Sequence, residues 1–328
     1  MTETTKTIMV EENGGPENMA WKDVEISKPT NTQVRIRHTF VGLNYIDTYH
    51  RSGLYPLKLP TGLGMEAAGV ITHVGKDVKD LRVGERVAYI MQLGSYCDCR
   101  NLEQEKAIKI PDGISDQEAA AALLKGMTVE YLTERLFRIN ESHTVLFHAI
   151  AGGVGLIACQ WLKEKGAKVI GTVGSEEKAS IAKEHGCDEV ILYKEHSFVE
   201  KVQNITNGEG VDVVYDGVGK DTAIKGLDCL KSLGTMVVFG NSSGNCPLVD
   251  PNLLAAKGSL FFTRPTLMNY AAKKEDYFHS ASRVFDMLLK KKILLTIDDS
   301  YLLSNVVNAH MNLESRKTIG SVVMKNDY

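Results

Sequence analysis

The chain has 328 residues, 43% hydrophobic and 24% charged, which is enough for two ordinary domains of a soluble globular protein. A formal net charge of −3 excludes a polyanion-binding surface as the main feature, so nucleic acid is not expected as a main partner. Six scattered cysteines, no basic segment leading into an apolar core at the N-terminus, and no apolar run of about eighteen residues argue for a cytoplasmic protein without disulfides or a membrane span.

Residues 1–127 read as short strands with turn punctuation. Ile8–Val10 leads into Gly14, Gly15 and Pro16, and Trp21–Ile26 gives a second strand. Val34–Val41 alternates with period two, as a half-buried strand should, and Ala67–Gly75 and Glu85–Ile90 follow the same rhythm. The pattern predicts a mostly antiparallel barrel. Ser115 and Glu118 have capping-box spacing, and Ala119–Leu124 continues that helix.

From Thr144 the rhythm becomes strand and helix in alternation. Strands are predicted at Thr144–Ala149, Lys168–Val173, Glu189–Tyr193, Val211–Gly217, Thr235–Gly240 and Ser259–Thr263. Helices are predicted at Leu156–Gly166, Ser175–His185, Phe198–Thr206 and Thr222–Ser232. Six strands suffice for a doubly wound parallel sheet that binds its ligand at the switch point. Beyond Pro265 come a long helix, Lys274–Lys291, and a strand, Ser321–Met324. The expected organisation is a catalytic domain over 1–127, a nucleotide-binding domain over 128–264, and a return to the first domain over 265–328.

The first of the six strands runs into Ala149-x-x-Gly152-x-x-Gly155, with Ile150 where a full Gly-x-Gly-x-x-Gly motif has its first glycine. Gly152 lets a ligand approach the backbone, and Gly155 lets the helix pack closely on the strand. The N–H groups and positive dipole end of that helix favour a pyrophosphate. A purely structural glycine turn is the bland alternative, and the flanking strand and helix weigh against it.

Several stretches carry a resemblance: Asn44–Pro56, Gly62–Val70, Lys125–Val129, Phe147–Leu162, Tyr215–Gly219, Val238–Gly244 and Leu313–Arg316. Together they resemble the zinc-free quinone oxidoreductases, the zeta-crystallin group of the medium-chain dehydrogenase/reductase superfamily. The resemblance implies an α/β protein with a GroES-like catalytic domain, a Rossmann domain and a homodimer. Alcohol dehydrogenases of that superfamily hold zinc with a cysteine near the position of Asn44 and the histidine of a Gly-His-Glu motif. Here the motif is Gly64-Met65-Glu66 and no cysteine lies within residues 44–47; a thioether is a poor zinc ligand, so no metal is expected. Without a Lewis acid, the accessible chemistry is hydride delivery to an already electrophilic acceptor.

NADPH is the expected cofactor. The strand Lys168–Val173 ends in Gly174 and Ser175, with Lys178 one turn into the helix, and Ser175 can cap that helix and also donate to a phosphate. Glu176 and Glu177 are read as charges complementing the helix dipole. By resemblance, Tyr193 reaches the same phosphate, and Thr128, Gly152, Gly153 and Val154 face the nicotinamide ribose and pyrophosphate. Phe239, Gly240, Asn241 and Ser242 lie at a strand end where ligands gather. Phe262 and Thr263 present backbone to the carboxamide, and Arg316 either approaches a phosphate or is a plain surface arginine.

On the acceptor side the resemblance places Asn44, Asp47, Tyr49 and Tyr55 beside the nicotinamide. Asn44, Tyr49 and Tyr55 are the candidate catalytic residues, the tyrosines as partners for a flat ring or as packing at a domain seam. His148 is read as packed rather than catalytic. The leading reading is an NADPH-dependent quinone reductase with a small-molecule quinone acceptor. An alkenal or enone reductase, and an NADPH-binding protein with a structural or RNA-associated role, are the alternatives.

Overall fold

The computed structural model describes residues 3–328. Its elements begin with β1 (Glu3–Val10), β2 (Met19–Ile26), β3 (Gln33–Leu43), α1 (Tyr45–Ser52), β4 (Thr61–Gly62), β5 (Glu66–Val74), β6 (Arg86–Ile90), β7 (Cys99–Glu103), β8 (Ile108–Lys109) and α2 (Asp116–Glu130). There follow β9 (Thr144–Phe147), α3 (Gly153–Glu164), β10 (Lys168–Val173), α4 (Glu176–Glu184), β11 (Glu189–Leu192), α5 (Phe198–Ile205), β12 (Val211–Asp216), α6 (Ala223–Gly226), β13 (Leu230–Val238), α7 (Pro251–Ala256) and β14 (Phe261–Thr263). The chain closes with α8 (Leu267–Tyr270), α9 (Lys274–Leu289), β15 (Ile297–Leu302), α10 (Val306–Glu314) and β16 (Ser321–Lys325).

Two units emerge. The first comprises the chain up to Met127 with Lys274–Lys290 and Leu295–Tyr328; the second comprises Thr128–Lys273 with Lys291–Leu294. Residues 265–273 and 291–294 therefore group with the second unit, whereas the sequence rhythm starts the return segment at 265.

In the first unit, β3 organises the main sheet. Its eleven residues pair antiparallel with β5, β7 and β16. Register shifts at Arg35/Ile36 and His38/Phe40 bend it, as bulges in a curved sheet do. The sheet runs β15-β16-β3-β5-β6-β8, with only β15 and β16 parallel, and a separate sheet has the order β2-β1-β4. Inward residues such as Ile8, Val34, Ile36, Val41, Tyr89 and Met324 form one core. This is the mostly antiparallel domain that the alternating segments predict.

The second unit is a six-stranded parallel sheet of order β11-β10-β9-β12-β13-β14. That is the doubly wound dinucleotide-binding order, and its switch point lies between β9 and β12. The strands are apolar on both faces because helices cover both faces of a parallel sheet. Leu146, Ile170, Ile191, Val214, Met236 and Val238 share its core.

One predicted helix is corrected. The segment Thr222–Ser232 is helical only over Ala223–Gly226 with a 3-10 turn at Leu227–Cys229, and β13 already starts at Leu230. Leu230 pairs with Val211, then the ladder shifts before Val213 meets Thr235, with Leu233 at a φ of 63° within the extra loop. Burial of Cys229 and Leu230 in the core overrides the local helical pattern. A second departure is the π-helical turn Tyr131–Leu136 that continues α2. The Leu132 carbonyl accepts both the Phe137 N–H, five residues on, at 3.2 Å and the Tyr215 hydroxyl at 2.9 Å.

Candidate active site

In the second unit, the loops at the C-terminal ends of β9, β10, β12 and β13 gather most of the expected cofactor residues. The turn after β9 is drawn together by Ile150 N–H donating to the Thr172 carbonyl at 3.2 Å and His148 N–H donating to the Tyr215 carbonyl at 3.0 Å. Ala149 has a φ of 56°, so the tight turn is made at Ala149 and not at the first-glycine position held by Ile150. A Cβ at Gly155 would overlap the carbonyl oxygens of Ile150 and Ala149, whereas one at Gly152 would stand 3.3 Å from the Ala149 carbonyl oxygen. Gly155 is therefore required for packing, and a Cβ at Gly152 would be tight against a single backbone oxygen. Gly152 caps α3 without a side chain, and the first turn, including Gly153 and Val154, carries no acidic residue. Its positive end is left for an anion.

The opposite wall is backbone against backbone. A Cβ at Gly240 would lie 2.5 Å from the Gly217 carbonyl oxygen. Ser242 N–H donates to that same oxygen at 3.2 Å, and Phe239 meets Phe147 with ring centroids 5.6 Å apart. Buried Asp216 braces this region: Oδ1 accepts from Val218 N–H at 2.7 Å and Gly219 N–H at 3.1 Å, and Oδ2 from the Thr222 hydroxyl at 2.7 Å. Asn241 is buried beside it, Phe262 packs half-buried on the core, and Thr263 pairs with Val237 in β14.

At the end of β10, Gly174 lies under the Tyr193 hydroxyl, which a Cβ would meet at 2.9 Å. Ser175 caps α4, its Oγ accepting from Lys178 N–H at 3.4 Å. Gly174, Ser175, Lys178 and Tyr193 are thus brought together, with Glu176 and Glu177 exposed in the first turn of α4. Thr128 is buried at the start of this unit. His148 is buried, shares a 3.0 Å hydrogen bond through Nδ1 with the Thr172 hydroxyl, and stands edge-on to Phe198; burial lowers its pKa.

Arg316 belongs to the first unit, on the exposed turn after α10 with a φ of 59°. That unit also carries the acceptor candidates. Asn44 precedes α1, and Tyr49 and Tyr55 meet edge to face with centroids 5.1 Å apart. Around Asn44 lies a buried polar cluster that sequence reasoning did not assemble. Asn44 Nδ2 donates to Glu66 Oε2 at 3.0 Å, Lys125 Nζ reaches the same oxygen at 3.4 Å, and Leu124 N–H donates to Oε1 at 2.6 Å. Asp47 Oδ2 accepts from Asn44 N–H at 2.9 Å and from the Tyr96 hydroxyl at 2.8 Å. The only hint of this cluster in the sequence is a Glu opening the apolar strand Ala67–Ile71 and a Lys closing the apolar run Ala119–Leu124.

Two family models match the chain: an alcohol dehydrogenase GroES-like domain over residues 30–135 and a zinc-binding dehydrogenase over residues 153–282. The zinc of the second name has no matching donor set here. Met65 is buried in the relevant motif, and among the described residues no group of three or more His, Cys, Asp or Glu is placed to hold an ion. A quinone oxidoreductase from Pseudomonas aeruginosa is 44% identical over 97% of this chain and 99% of its own. A 2-haloacrylate reductase from a Burkholderia species is 40% identical over 96% and 97%. The crystal structure of Escherichia coli quinone oxidoreductase complexed with NADPH superposes with a TM-score of 0.95 at 43% identity, covering 98% of this chain and 99% of that one. With its parallel sheet, its antiparallel domain and these full-length relatives, the chain belongs to the quinone oxidoreductase family of the medium-chain dehydrogenase/reductase superfamily.

Proposed function

We propose that this chain is an NADPH-dependent quinone oxidoreductase that transfers hydride without a metal. The observation that carries the reading is the glycine cradle of the second unit. Gly155 and Gly240 hold backbones in contact that any side chain would separate, and α3 offers an uncapped positive end. The residues present fit a dinucleotide. Gly152, Gly153 and Val154 would hold its pyrophosphate, with Thr128 near the nicotinamide ribose. Gly240, Asn241 and Ser242, with Phe239, would line the path of the chain, and Phe262 and Thr263 would offer backbone to the carboxamide. Ser175, Lys178 and Tyr193, gathered over Gly174, would take the 2′-phosphate, and Arg316 would offer its guanidinium to a phosphate. When bound, the reduced nicotinamide supplies a hydride. Asn44, Tyr49 and Tyr55 would receive the flat acceptor, the ring edges and hydroxyls of the tyrosines suiting an apolar ring bearing oxygens.

A second reading, reduction of an activated alkene, is favoured by the 40% identity to a 2-haloacrylate reductase. NADPH oxidation with a panel of ortho-quinones, para-quinones and an alkenal separates the two. Faster turnover of quinones is expected. Turnover of the alkenal alone would transfer the assignment to alkenes, and tight NADPH binding with no turnover of any acceptor would overturn both. A homodimer belongs to the same proposal: β14 ends the sheet, and Phe261 and Leu248 leave large apolar surfaces exposed. Light-scattering mass in solution tests it.

A further inference from the structure

Four residues of the first unit form a hydrogen-bonded chain whose direction is fixed by chemistry. Arg51 Nη1 lies 2.8 Å from His310 Nδ1, His310 Nε2 lies 3.0 Å from the Tyr96 hydroxyl, and that hydroxyl lies 2.8 Å from Asp47 Oδ2. All four side chains are buried. A guanidinium only donates, so His310 Nδ1 must accept. The neutral imidazole then carries its proton on Nε2 and donates it to the Tyr96 oxygen. Tyr96 in turn donates to Asp47. Burial and the neighbouring Arg51 hold His310 neutral, lowering its pKa to about 3.

This direction has a consequence for Asp47. Oδ2 already receives two protons in hydrogen bonds, from Tyr96 and from Asn44 N–H, so a proton bound to the carboxyl group sits on Oδ1. Nor can that proton leave through Tyr96, since the chain points toward Asp47 and ends in an arginine that does not deprotonate. Oδ1 is buried and has no hydrogen-bond partner. A buried acid with a saturated Oδ2 and an orphan Oδ1 is a donor that lacks its acceptor.

We propose that Asp47 is the proton donor of the acceptor site, delivering from Oδ1, directly or through one water, the proton that completes a reduced quinone. The inference rests on the quinone reading above. Two-electron reduction by a hydride equivalent leaves a hydroquinone monoanion, one proton short of the neutral product. The O–H bond at Asp47 Oδ1 breaks, an O–H bond forms on the hydroquinone oxygen, and the carboxylate then regains a proton from solvent. The charge environment supports this role. Burial pushes the Asp47 carboxyl up to about 7, against the opposing pull of Tyr96, Asn44 N–H and the Lys125 ammonium, and Glu66 pushes it further the same way. Arg51 lies one turn along α1 from it, and His310 joins Arg51 to Tyr96. An acid of that strength is poised to donate near neutral pH.

The test uses the full chain and Asp47→Asn. In the ligand-free protein, infrared spectroscopy across a pH titration is expected to show a protonated-carboxyl band that fades through neutrality and is absent from Asp47→Asn. With saturating NADPH and a para-quinone, wild-type turnover should fall about tenfold per pH unit on the alkaline side. Asp47→Asn should be slower by about 100-fold or more and lack that limb. Tyr96→Phe removes one donor to Oδ2 and should move both the band and the limb to higher pH, a readout that survives if Asp47→Asn fails to fold. A band that persists in Asp47→Asn, or an alkaline limb that neither substitution changes, would overturn the proposal. A titrating band in a protein that reduces no quinone would overturn the quinone reading and with it the donor role, while leaving the neutral acid in place.

Discussion

The two units build their candidate sites by opposite means. In the second unit the candidate site is made by what is missing: glycines at 155, 174 and 240 let backbones and a tyrosine hydroxyl occupy the space a Cβ would take. In the first unit it is made by what is added, since Asn44, Asp47, Glu66, Lys125, Tyr96 and His310 place polar and ionisable groups in the buried interior. A glycine cradle is a problem of shape, and its failures are steric. A buried charge cluster is a problem of mutual satisfaction, and its failures are electrostatic. Substitutions in the two units should therefore fail differently.

The largest effect is expected in the charged half. Lys125→Met strands the Glu66 carboxylate and should cost about 3–5 kcal/mol in denaturant unfolding. Adding Glu66→Gln should recover a large part of that loss. If the double variant were no more stable than Lys125→Met, mutual satisfaction would not be what holds this cluster. In the glycine half, Gly155→Ala should cost about 3 kcal/mol and weaken NADPH binding, because the carbonyls it meets are backbone and cannot give way. Gly152→Ala should be milder, and equal losses at the two positions would break the steric argument.

Titration sets groups within the first unit against one another. The Asp47 carboxyl is raised from 3.8 to about 7, so the folded protein binds the proton more tightly than the unfolded chain. Its contribution to stability is present below pH 3.8 and is lost as pH rises toward 7. His38 and His310 run the other way: lowered to about 4 and about 3, they contribute above the ordinary histidine value of 6.5 and lose that contribution as the solution is acidified. Between pH 4 and 6.5 the single acid and the two imidazoles oppose each other. Asp47→Asn should then gain stability relative to wild type as pH rises from 4 to 7, by up to about 1.4 kcal/mol per pH unit. A constant difference across that range would show that Asp47 is ionised throughout. The smallest effect concerns cofactor choice. Lys178→Glu should lower the ratio of NADPH to NADH efficiency about tenfold, equivalent to about 1.4 kcal/mol. An unchanged ratio would remove Lys178 from the phosphate site.

Much of the second unit was legible because its signals are local. Strand and helix alternate at short range, and glycines with a capping serine mark the turns, so the six strands and the loops after β9 and β10 follow from patterns spanning a few residues. The misread segment, Thr222–Ser232, is the place where a local helical pattern yields to the burial of Leu230 against a distant strand. The lack of zinc ligands at Asn44 and Met65 was equally legible, since side-chain chemistry can be read without geometry.

What only the tertiary structure decided is the polar heart of the first unit. Arg51 and His310 are 259 residues apart and Tyr96 and His310 are 214 apart, and no periodicity links them. Glu66 and Lys125 are 59 residues apart, and the fold buries both. The reason is physical: hydrophobic patterns repeat along the chain, whereas a buried charge is meaningful only through partners that the fold brings to it.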